Sequence, residues 1–220
     1  MLKRHSRPRE TPTTPHPTRE KLIEVAVNLI GEVGVEAVET AVVLERAGVT
    51  TGALYHHFRD MNHLLEEAMA RRFPVGVRES LVMLKDGLAK ATTLADYQKF
   101  MSDLTEVSQA PANRPRRTER AHYLALAFAS ESFRKVIAEQ QTEMTAELTD
   151  VLQGVQQRGW LRKDLNPKAV AVFIQAYTLG RIIDDISNDP LDPAEWNRLI
   201  VTVMLEALSD PAPGPTTQSD

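Results

Sequence analysis

The sequence predicts an all-α protein, with a group of three short helices at the N-terminus and a larger helical domain after it. Three observations carry this. Apolar residues recur at helical spacing along most of the chain, no stretch alternates apolar and polar residues over the length of a strand, and prolines cluster where helices should begin or end. With 220 residues, 42% of them apolar, the chain can bury a real core as one large domain or two small ones.

Composition removes several classes. Cysteine is absent, which excludes a disulfide framework and a thiolate metal site. The N-terminal MLKRHSRPRE is not followed by the apolar run of a signal peptide, and no segment approaches the roughly 18 uninterrupted apolar residues of a membrane span. A cytoplasmic protein with no membrane association is expected. Residues 1–21 hold Lys3, Arg4, Arg7, Arg9, Arg19 and Lys21 against Glu10 and Glu20, a local charge of +4 in a chain of net charge −4. Pro8, Pro12, Pro15 and Pro17 crowd this basic start, and Pro211, Pro213 and Pro215 crowd the end, so disordered tails are expected over 1–17 and 209–220.

The first helix is marked by Leu22, Val25, Ala26, Leu29, Ile30 and Val33, one stripe at helical spacing, with Thr18 as its N-cap and Gly34 as its stop. Thr40 can cap a short helix running to Ala47, and Gly48 frees the backbone for a tight turn. Thr50 can cap a second short helix reaching about Phe58. Helix, glycine turn, helix is the helix-turn-helix layout, in which the second helix enters the major groove of double-stranded DNA. Val49, Leu54 and Phe58 supply its buried side. The candidate DNA-binding residues are Thr40, Thr50, Thr51, Gly52, Ala53, Tyr55, His56 and His57: hydroxyls and imidazoles for bases and phosphates, small residues for close approach.

A metal site among His56, His57 and His63 is not expected, because adjacent histidines on a helix point about 100° apart and no carboxylate completes a chelating face. An enzyme is not expected either. No nucleophile–base–acid order with context, HExxH helix or phosphate loop is present, and no cofactor is implied.

Residues 19–72, through REKLIEVAVNLIGEVG, AGVTTGALYHHF and LLEEAMARRF, resemble the DNA-binding domain of TetR-family transcriptional regulators. Gly34, Ala47-Gly48-Val49, Leu54-Tyr55, Phe58 and Leu64 stand where that family's pattern has them. The resemblance implies a helix-turn-helix domain over 18–60 and an effector-binding and dimerisation domain over 61–208. It further implies a homodimer on a palindromic operator, a repressor released by a small effector. Three positions depart from the family pattern. Leu44 stands where a small residue is usual, Met61 where a lysine meets phosphate, and Ala41 offers no hydrogen bond to a base. They motivate an alternative, a ligand sensor or interaction module with weakened DNA binding.

In the larger domain, helices are expected near 94–109, 118–129, 132–158, 167–186 and 193–208. Pro74 interrupts what otherwise reads as one long helix. The last two helices are apolar on more than one face, which demands a covering surface. The resemblance assigns that surface to a partner subunit, with Val172, Tyr177, Ile183, Trp196, Leu199, Ile200, Val203 and Met204 at the interface. Tyr97, Met101, His122, Tyr123, Phe128, Gln175, Tyr177 and Arg181, polar or aromatic within apolar helices, are the candidate effector-binding residues, for a hydrophobic or amphipathic molecule.

Overall fold

The computed structural model describes residues 16–208, so the expected tails fall outside the described residues apart from His16 and Pro17. Among the described residues every regular element is helical, and no helix is long and apolar enough to cross a membrane. The chain forms two compact units, one ending at Arg71 and one beginning at Arg72.

The first unit starts with α1 (Pro17–Val33), which has His16 at the cap position and Pro17 as its first residue. The Thr18 cap is thus superseded, because proline's fixed φ and missing N–H suit the first helical position. The buried stripe is Leu22, Ile23, Ala26, Leu29 and Ile30, rotated toward Ile23 so that Val33 is left exposed. A fully buried Leu or Ile contributes about 2 kcal/mol. Gly34, at φ 82°, ends the helix and donates its N–H to the Ile30 carbonyl at 3.0 Å. A single 3₁₀ turn, Val35–Ala37, leads to α2 (Thr40–Ala47), α3 (Thr51–His57) and α4 (Met61–Arg72).

The second unit is built from α5 (Val75–Lys90), α6 (Leu94–Gln109), α7 (Arg114–Ala129), α8 (Glu131–Gln157), α9 (Pro167–Gly180), α10 (Ile182–Asp185) and α11 (Pro193–Thr202). The break expected at Pro74 separates α4 from α5. α7 begins a turn earlier than its periodicity suggested, with Pro115 in its first turn, where a proline is tolerated. The single helix expected over 167–186 is interrupted at Arg181, after Gly180. α11 gives way to a wider π turn, Val203–Ala207, after which the Leu208 carbonyl accepts from the Arg162 N–H at 2.9 Å.

The core of this unit joins Leu81, Leu84 and Leu88 of α5, Tyr97 and Met101 of α6, Leu148, Leu152 and Val155 of α8, Val170 and Ala171 of α9, and Ile200 of α11 with Met204. Tyr97 stacks on Trp160 with ring centroids 5.3 Å apart, and Arg158 covers the same indole at 5.0 Å. Arg158 also donates to the Leu88 carbonyl at 2.8 Å, satisfying an acceptor at the end of α5.

Candidate nucleic-acid interface

Val43 and Ala47, one turn apart, are the fully buried residues of α2, while Leu44 beside them is only half-buried. Gly48 then takes the left-handed conformation, φ 61° and ψ 38°, and the N–H groups of Gly48 and Val49 close on the carbonyls of Glu45 and Leu44 at 3.0 and 3.1 Å. Thr40 is the first residue of α2 and does not cap it; Glu39 holds that position without a side-chain bond. Thr50 does cap α3, accepting from the Ala53 N–H at 3.3 Å.

That cap fixes the rotation of α3. Leu54 and Phe58 are buried, at 0% and 1% exposure, and Thr51, Gly52, Tyr55 and His56 are exposed on the other side. These four fall at i, i+1, i+4 and i+5, a continuous stripe on one face of a helix. Thr50 flanks the stripe, exposed, and Ala53 is half-buried beside it. His57 departs from its expected place among the outward groups. It is half-buried, 4.5 Å from the His16 ring and 4.9 Å from the His56 ring. Desolvation, then the charges of His16, His56 and Arg19, lower its pKa from the ordinary histidine value.

Two ion pairs hold α1 to α4. Arg19 donates to both Glu67 carboxylate oxygens at 2.5 Å, and Glu20 pairs with Arg71 at 2.5 Å. α4 opens on a reciprocal cap, in which the His63 N–H donates to Asp60 Oδ1 at 2.8 Å and the Arg59 N–H donates to His63 Nδ1 at 3.3 Å. This occupies His63, while Arg59 pairs with Asp60 at 3.0 Å on an exposed side chain, and Asn62 is exposed. Sequence periodicity carried no sign of these pairs, because charges one or two turns apart on α1 and α4 read as ordinary solvated faces.

The expected effector residues fall in several different surroundings. Tyr97 and Met101 are in the core, and burial followed by the neighbouring Tyr177 pushes the Tyr97 hydroxyl up to about 12. Tyr123 donates to Glu119 at 2.5 Å, and His122 is half-buried beside it. Gln175 joins Gln141 and Thr145, while Arg181 lies over the Trp196 ring at 5.3 Å. Phe128 is 87% exposed and lines no interior. The interface set divides as well. Val172, Ile183 and Leu199 are exposed, but Ile200 and Met204 are spent on the chain's own core, and Tyr177, Trp196 and Val203 are partly covered. Each terminal helix has two apolar faces, and one of them is used within the chain.

Residues 22–68 match the family of bacterial regulatory proteins, tetR family. The HTH-type transcriptional regulator BetI of Escherichia coli (strain K12 / DH10B) is 34% identical over 95 residues, covering 42% of this chain and 48% of BetI, so the match spans about half the length of that relative. The fold extends further. Escherichia coli NemR in its reduced form superposes with a TM-score of 0.63 at 19% identity, over 90% of this chain and 100% of that one. Salmonella enterica GusR gives 0.60 at 18%, over 88% and 97%. A transcriptional regulator from Saccharomonospora viridis in complex with choline gives 0.62 at 14%, over 88% and 98%. With this helix-turn-helix geometry and this match, residues 22–68 carry a DNA-binding domain of the tetR family of bacterial regulatory proteins, and the chain as a whole shares the fold of these neighbours.

Proposed function

We propose that the protein is a cytoplasmic repressor that binds a palindromic DNA operator as a homodimer and is released by a small hydrophobic or amphipathic effector. The observation that carries this is the outward stripe Thr51, Gly52, Tyr55 and His56 on a helix fixed from behind by Leu54 and Phe58. Its small residues let the backbone approach the groove, its hydroxyls and imidazole supply hydrogen bonds, and the buried side prevents the helix from rolling. Thr50, exposed at the cap of α3, and Thr40, the first residue of α2, are its candidate phosphate contacts.

The apolar side chains left uncovered on the terminal helices, Val172 and Phe173 of α9, Ile183 of α10, Ile186 beyond it and Leu199 of α11, support a second copy as their cover. Two-fold symmetry would set two reading helices about one DNA turn apart. An effector needs about 1–3 kcal/mol of differential affinity, some 5- to 150-fold in operator binding, to switch such a protein, and must favour the unbound form.

The test is selection of bound fragments from a random DNA pool, followed by titration of the enriched site at several salt concentrations. Enrichment of a palindrome bound about a thousandfold more tightly than scrambled DNA is expected. Weak binding indifferent to sequence would reject the reading and turn attention to a sensor without a reading head.

A further inference from the structure

Arginines at four positions are drawn into the second unit: Arg72, Arg117, Arg120 and Arg181. Arg72 meets Glu119, Arg117 is gripped by Asp185 at 2.7 and 2.9 Å, and Arg181 faces Asp184 at 3.7 Å. Arg120 of α7 differs, because all its partners are neutral. Its Nη2 donates to Gln141 Oε1 at 2.7 Å, its Nη1 to the Phe73 carbonyl at 3.4 Å, and its guanidinium lies 4.4 Å from the Phe73 ring centroid. Among the described residues no carboxylate reaches it. Burial draws its pKa down to about 10, so at neutral pH it is still a cation.

A half-buried cation without an anion is costly, and here the surroundings hold it in place without neutralising it. Gln141 Nε2 donates to Gln175 Oε1 at 2.5 Å and to Thr145 Oγ1 at 3.1 Å, and Gln175 Nε2 donates to the same hydroxyl at 3.1 Å. With its amide nitrogen committed in this way, Gln141 can turn only its oxygen to Arg120. The guanidinium is therefore positioned by a rigid neutral acceptor and keeps its full charge. The Arg181 Nε and Nη1 are unpartnered but sealed away from solvent, whereas the remaining Arg120 donors, Nε among them, are not sealed.

We propose that Arg120 is the anchor for a small organic anion, whose charged oxygens take the open edge of the guanidinium beside the Phe73 ring. This rests on the regulator reading only for its consequence. Phe73 is the residue directly after α4, the helix that follows the reading helix, so an anion that draws the guanidinium toward itself loosens the hold on the Phe73 carbonyl. The same charge disfavours a quaternary ammonium such as the choline carried by the Saccharomonospora viridis regulator.

The test uses the full chain without DNA, in thermal melts and calorimetric titrations with sodium benzoate, sodium hexanoate and sodium phosphate, against choline chloride and sodium chloride at matched ionic strength. Saturable stabilisation by benzoate or hexanoate is expected, with none from choline or chloride beyond ionic strength. Arg120→Gln should raise the half-saturating concentration tenfold or more, and Arg120→Lys, which keeps a cation in place, should fall between. No saturable response to either organic anion, a response to phosphate alone, or an unchanged half-saturation in both folded variants would overturn the proposal. A protein that takes benzoate through Arg120 but binds no operator sinks the regulator reading alone, and the reverse result sinks this one alone.

Discussion

Arg19 of α1 grips Glu67 of α4, both carboxylate oxygens lying 2.5 Å from its Nη2, while its guanidinium sits 5.2 Å from the ring centroid of Phe58. One side chain thus ties the first helix, the end of the reading segment and the helix after it. Glu67→Gln keeps the shape and removes the anion. Both partners are about a third exposed, so solvent screens the pair, and a loss of about 1 kcal/mol is expected. Thermal melts should show the variant below wild type at low salt and the gap closing at 1 M salt. Equal melting at low salt would mean that the pair contributes nothing.

Three glycines should respond to alanine with different signs. At Gly48 a Cβ would meet only the flexible Lys21 Nζ at 3.8 Å, so the cost is that of the left-handed backbone, about 1–2 kcal/mol. At Gly87 in α5 a Cβ would come within 2.0 Å of the Phe100 ring, and displacing that ring should cost about 1–3 kcal/mol despite the better helix propensity. At Gly154 in α8 nothing lies within 4 Å, and the substitution should stabilise by about 0.5–1 kcal/mol. Urea titrations of the three variants check this. A stabilised Gly87→Ala would show that Phe100 moves aside freely.

Acid should act through Asp185. The hydrogen bonds from Arg117 hold its carboxyl below the ordinary value of 3.8, against the opposing effect of desolvation, with Arg114 adding at 3.4 Å. A depressed carboxylate contributes stability that is fully present above the unfolded value and is lost as pH falls through the folded one. The loss therefore begins near pH 4 and completes below it. Asp185→Asn should flatten that part of the stability curve. At pH 7 it leaves Arg117, whose side chain is 5% exposed, without its anion, which costs about 3 kcal/mol. A variant as stable as wild type at pH 7 would contradict the assignment.

Much of the first unit was legible because it depends on local rules. The Thr50 cap, the Gly48 turn and the apolar spacing of Leu54 and Phe58 fix α3 within a dozen residues. How the eight expected effector residues are arranged was not legible, for the opposite reason. Polarity inside an apolar helix does not reveal whether Tyr97 stacks on Trp160, whether Phe128 points to solvent, or which helix supplies a partner. Arg120 escapes the sequence because its significance lies in having only neutral partners, Gln141 of α8 and Phe73, a property of the fold alone. Ile200 and Met204 were read as interface because a stripe shows that a face is covered without showing by what.

Met61 offers the sharpest test of the DNA-facing side. It is half-buried as the first residue of α4, one position past the Asp60 cap, where the family resemblance puts a phosphate-contacting lysine. Met61→Lys adds that cation at a helix N-terminus, so folding should lose about 0.3–1 kcal/mol to the helix dipole. DNA binding should tighten for all sequences alike, and the slope of log affinity against log salt should steepen by about 0.9. Tyr55→Ala, on a side chain 55% exposed, should act in the complementary way, leaving melting nearly unchanged and weakening the selected site more than scrambled DNA. If the lysine leaves the salt slope as it was, residue 61 does not face phosphate. If Tyr55→Ala weakens both DNAs equally, the stripe on α3 positions the protein without reading bases.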